Sequence, residues 1–142
     1  MPNHFHFLIQ ANAATCKTVK HSPIEINALT EGIRLLLSSY TKAIQKQESM
    51  TGNLFQQKTK TKCVDNYARI AFHYIHQNAF NAGLTNKIED WKFSSLREYM
   101  ASDTASGLCF KNLAFDLLDL DQETILKDSY AAIQAERLNK IF

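Results

Sequence analysis

Apolar positions along the chain change their period from one stretch to the next. Residues 5–9, Phe-His-Phe-Leu-Ile, are short, aromatic and apolar, and Pro2-Asn3 punctuates their start, so they predict a strand. Residues 10–20 are small and polar and predict a loop. Ser22-Pro23-Ile24-Glu25 has the order of a helix start, with a serine cap, proline at the first helical position and glutamate after it. The helix should run to about Gln47. Its apolar face is Ile33, Leu36, Leu37, Tyr40 and Ile44, and Gly32 divides it into a short piece and a longer one.

Thr51-Gly52-Asn53 predicts a turn, and residues 54–64 a second strand or a pair of extended pieces. Residues 67–80 predict a helix that Asp65 or Asn66 caps and Ala82-Gly83-Leu84 ends, with glycine near the left-handed C-terminal position. Residues 91–100 should be ordered and helical from Ser94 or Ser95, and residues 101–107 form a linker. The tail, residues 108–142, predicts two helices. Asp121 would cap the second, which carries Leu126, Tyr130, Ile133 and Ile141 at near-helical spacing.

Composition changes this picture little. Hydrophobic residues are 45% of the 142, charged residues 21%, and the net charge is +2, which permits nucleic-acid binding without requiring it. Cys16, Cys63 and Cys109 are odd in number and widely spaced, so they predict three reduced, partly buried thiols rather than a zinc knuckle or disulfide pair. The chain has no run of about 18 apolar residues, and residues 1–4 carry no basic, apolar leader. A cytoplasmic protein that does not engage a membrane is expected.

Three groups carry candidate chemistry. In His4-Phe5-His6, strand alternation would project both imidazoles from one face, a half-site for a divalent metal, while Phe5 and Phe7 enter the core. The same tripeptide is also the pattern of an accidental surface pair. Tyr74 and Asn78 lie four apart and share a helix face. A phenol there is a nucleophile if its target is polarised, or a core tyrosine with a wet hydroxyl if it is not. His73 and His76 fall on neighbouring faces, where solvent exposure is the common outcome. Lys58, Lys60 and Lys62 would form a cationic stripe on one face of a strand, suited to a phosphate backbone or to protecting a sheet edge.

The text and order of these pieces resemble one family. Residues 1–9, Met-Pro-Asn-His-Phe-His-Phe-Leu-Ile, resemble the signature of the single-tyrosine His-hydrophobe-His (HUH) transposases, the insertion-sequence-200-like group that includes the REP-associated tyrosine transposases. Leu-Leu-Ser-Ser-Tyr-Thr-Lys-Ala-Ile, residues 36–44, is similar to their central helix, and Gly52-Asn53-Leu54-Phe55-Gln56 to their Gly-x-Leu-Phe/Trp-Gln block. Tyr74-Ile75-His76-Gln77-Asn78, Ala82-Gly83-Leu84 and Trp91-Lys92-Phe93-Ser94-Ser95 follow in the family's order. Ala79 stands where the family usually has proline. The similarity spans residues 1–99.

The resemblance implies a metal-dependent DNA transposase that nicks and rejoins single-stranded or hairpin DNA through a 5′-phosphotyrosine. His4, His6 and Asn78 would hold Mg²⁺ or Mn²⁺, Tyr74 would be the nucleophile with Tyr67 its rival, and Lys58, Lys60 and Lys62 would contact DNA. A catalytically inactive nucleic-acid-binding remnant is the alternative, and a homodimer is possible. The fold expected is α+β: a ferredoxin-like HUH domain over residues 1–100, N-terminally incomplete because the metal strand opens the chain, with a helical tail over residues 101–142.

Overall fold

The computed structural model describes residues 5–21, 24–55, 59–102 and 107–131. Helix and sheet are mixed, and the described residues divide into two compact units. Residues 9–61 form a hairpin unit. The described residues of 1–8 and 62–142 form a helical unit, which holds both the segment around Tyr74 and the described part of the tail.

In the hairpin unit, β1 (Thr18–His21) pairs antiparallel with β2 (Ile24–Asn27), with Val19 opposite Ile26 and Thr18 opposite Asn27. A tight turn leads into it, in which Asn12 Oδ1 accepts from the backbone of Ala14 and Thr15, both at 3.0 Å. Helix α1 (Ala28–Gln47) follows directly. The helix therefore starts several residues after the expected Ser22-Pro23 cap, and those two residues lie outside the described set. Ile24-Glu25-Ile26 alternates with a period of two and has a partner in β1, so it pairs as a strand. Asn27 then caps the helix, its Oδ1 accepting from Thr30 N at 2.8 Å. Gly32 does not divide α1, because a single glycine lowers helix stability without interrupting the hydrogen-bond ladder.

The helical unit is built around α2 (Ala68–Asn81), which a 3-10 turn at Asp65–Tyr67 introduces. Its end follows the expectation: Leu84 N donates to Ala79 O at 3.0 Å, and Gly83 sits at φ +69. A Cβ at Gly83 would meet nothing within 4 Å, so the backbone angle alone asks for glycine there. A second 3-10 turn (Ile88–Asp90), α3 (Leu96–Met100), α4 (Lys111–Leu118) and α5 (Ile125–Tyr130) complete the unit. Thr124 rather than Asp121 stands at the start of α5, without a side-chain cap, and Asp121 instead shapes the preceding turn, accepting from Glu123 N through its side chain and from Ile125 N through its carbonyl. The core is Phe72, Ile88, Leu96, Tyr99 and Ile125, with Phe115, Leu118 and Leu126 packed against it.

Two expected strands do not form. Residues 5–9 are irregular, and Phe5 and Phe7 are exposed rather than in the core. Among the described residues of 54–64 there is likewise no strand. The reason is the same for both: a strand needs a neighbour for its backbone groups, and the only described ladder is β1 with β2. No described helix is long and apolar enough to cross a membrane.

Candidate functional site

Helix α2 sets the site because its faces meet different surroundings. Ala71, Phe72, His73, His76, Gln77 and Ala79 are buried. Ile70, Tyr74 and Asn78, spaced by four, form a half-buried stripe beside that face. The segment carrying His6 meets this stripe. The Asn78 amide nitrogen donates to His6 Nε2 across 2.9 Å, closing a separation of 72 residues. The His6 and Tyr74 rings stand edge to face at 6.1 Å between centroids and 82° between planes. His6, Tyr74 and Asn78 are thus brought together within one compact unit.

His4 lies outside the described residues. Tyr67, the rival nucleophile, belongs to the 3-10 turn before α2 rather than to the Tyr74–Asn78 stripe. The lysine stripe does not form as expected. Lys58 lies outside the described residues, and Lys60 and Lys62 are exposed on irregular backbone, where no strand alternation aligns them. Lys60 belongs to the hairpin unit and Lys62 to the helical unit.

Among the described residues no group of three or more His, Cys, Asp or Glu side chains converges. The His6–Asn78 pair consists of other donors. An imidazole nitrogen and a carboxamide face each other within hydrogen-bonding distance, and both are ligand types for a divalent cation. The Nε2 lone pair that now receives the Asn78 amide is the one a cation would take. Asn78 would present its oxygen by turning its amide over. On this donor chemistry the residues present fit two of the three ligands expected.

His73 and His76 are not exposed as the sequence suggested. They are 7% and 3% exposed, and each anchors α2 to another helix. His73 Nδ1 shares a hydrogen bond of 2.9 Å with Ser129 Oγ on α5, and His76 Nε2 one of 3.0 Å with Ser95 Oγ at the start of α3. Gln77 Nε2 donates to Ala131 O at 2.6 Å. Burial holds His73 below its ordinary pKa, opposed by Asp128 and aided by Arg69. Burial, with His73 nearby, takes His76 down to about 4, so both rings are neutral at pH 7. Sequence reasoning missed these anchors, including Ser95 and Ser129, because it treated a polar residue as an exposed one. The available signal was Phe72, His73, His76 and Gln77 at helical spacing beside the alanines. The three cysteines are free thiols, with Cys16 and Cys63 exposed and Cys109 half-buried. No protein-family model matches the chain, and the searches of curated proteins and of solved structures likewise gave no match.

Proposed function

We propose that the chain is a single-tyrosine transposase of the HUH type, cutting and rejoining single-stranded DNA, with the ferredoxin-like domain of that family as the finer description of its fold. The observation that carries the proposal is the meeting of His6, Tyr74 and Asn78 across 72 residues of sequence. The resemblance of residues 1–99 assigns functions to these same three side chains, and nothing in the spacing of the chain requires His6 to meet the Tyr74–Asn78 pair.

In this reading His6 through Nε2, Asn78 through its amide oxygen and His4 would hold Mg²⁺ or Mn²⁺. When bound, the cation polarises a phosphate oxygen and offsets charge in the transition state. Tyr74 supplies the nucleophile. Its Oη attacks phosphorus in line, forming the phosphotyrosine bond and breaking the bond to the 3′ oxygen, which takes a proton from solvent and leaves as a free hydroxyl. The phenolic proton is lost to solvent. Because the phosphodiester is conserved as an ester of Tyr74, a 3′-hydroxyl rejoins the strand by the reverse attack, without a nucleotide cofactor. The His6 and Tyr74 rings stand edge to face, which places the imidazole beside the phenol.

The test is incubation with hairpin DNA and Mg²⁺ or Mn²⁺, followed by a denaturing gel. The parent chain should form a covalent protein–DNA adduct, and Tyr74→Phe should form none. An equal yield from Tyr74→Phe removes Tyr74 from the role. Binding by the parent without any adduct favours the non-catalytic remnant.

A further inference from the structure

We propose that the turn Trp91-Lys92-Phe93 is a stacking platform for the bases of single-stranded DNA, on the same compact unit as His6, Tyr74 and Asn78; this rests on the function proposed above. The turn is held rigidly at both ends. Ile88, 1% exposed, precedes it, and Leu96, 0% exposed, follows it. Within it, Trp91 N donates to Ile88 O at 3.4 Å and Ser94 N to Trp91 O at 3.1 Å. Ser95 then ties the frame to α2 through His76. Between these anchors Phe93 stands 74% exposed, with Trp91 half-buried beside it. An aromatic ring held in water by a well-anchored turn is available for contact with a ligand.

The chemistry of the turn selects the ligand. The Trp91 and Phe93 rings lie 5.4 Å apart at 71°, so they are splayed rather than stacked face to face. Lys92 Nζ sits over the Phe93 ring at 4.8 Å, and no ion pair to Lys92 is present among the described residues. A purely apolar partner would have to strip or displace that ammonium. A nucleobase displaces it productively, because the base takes the ring face while the ammonium moves to the adjoining phosphate. A duplex keeps its base faces paired and stacked, so the platform selects single strands.

Trp91 is the only tryptophan of the chain, so its emission reports on the platform directly. The full chain is titrated in EDTA with an oligothymidylate of about fifteen nucleotides and with the corresponding duplex. Binding is followed by Trp91 fluorescence and by anisotropy of labelled DNA. Saturable quenching by the single strand and not by the duplex is expected. Phe93→Ala and Trp91→Ala should each weaken single-strand binding about tenfold or more, and Lys92→Gln should reduce its salt dependence. Phe93 is too exposed for its removal to disturb folding, which circular dichroism checks. The proposal is overturned if both aromatic variants bind like the parent, or if saturation by anisotropy leaves Trp91 emission unchanged. EDTA separates this outcome from the chemistry. An intact adduct assay with unaffected Phe93→Ala binding removes only the platform, and platform binding with no adduct removes only the catalytic reading.

Discussion

Acidification should weaken the helical unit through His76. Its ring is 3% exposed, 4.3 Å from the ring of Phe72 and 6.0 Å from that of Tyr99. Burial takes its pKa from 6.5 to about 4, and proximity to His73 acts in the same direction. In the unfolded chain the group protonates near its ordinary value. Between about pH 6.5 and about pH 4 the unfolded state therefore binds the extra proton, and stability rises with pH in that window. The contribution is complete above about 6.5 and is lost as pH falls toward 4. At about 1.4 kcal/mol per pH unit, the difference amounts to about 3 kcal/mol, a large part of the roughly 5–15 kcal/mol that holds a domain folded.

The measurement is urea unfolding, followed by circular dichroism, of the parent and of His76→Phe between about pH 7 and about pH 4.5. His73 and the surface carboxylates titrate in both proteins, so the difference between the two curves reports His76 together with its coupling to His73. The substitution also removes the hydrogen bond to Ser95, which shifts the level of the curve but not its slope. The parent should lose about 2.5 kcal/mol more than the variant across this narrower window. Parallel loss in the two proteins would refute the argument.

Two further outcomes follow from individual contacts. Ser129→Ala should cost about 1–3 kcal/mol in urea unfolding, because it removes the partner of His73 Nδ1 where His73 Nε2 already has none among the described residues. His73→Phe combined with Ser129→Ala should recover much of that loss, and additive losses would show that the two groups are not coupled. Asn27→Ala should cost about 1 kcal/mol and reduce helical circular dichroism, since Asn27 Oδ1 satisfies Thr30 N at the start of α1. An unchanged helix signal would show that the hairpin, rather than the cap, fixes the start of α1.

The candidate site was partly legible before the fold was known. Tyr74 and Asn78 share a face of α2 because helix geometry places residues four apart together, whatever the helix packs against. His6 was identified from a strand argument that did not survive, yet it reaches the same stripe from irregular backbone. The lysine stripe failed with its strand, since alternation has no meaning where there is no ladder.

The sequence by itself determined the elements that depend on neighbours in the chain. Alanine-rich α2, its stop at Gly83, the start of α3 near Ser95 and the turn at Asp121 all close hydrogen bonds within a few residues. Only the tertiary structure decided the rest. Whether residues 5–9 or residues 24–27 became a strand depended on which had a partner. Whether His73 and His76 were wet or buried depended on Ser129 and Ser95, 56 and 19 residues away. Helix bonds are local, whereas strand pairing and burial are settled by groups that sequence periodicity does not bring together.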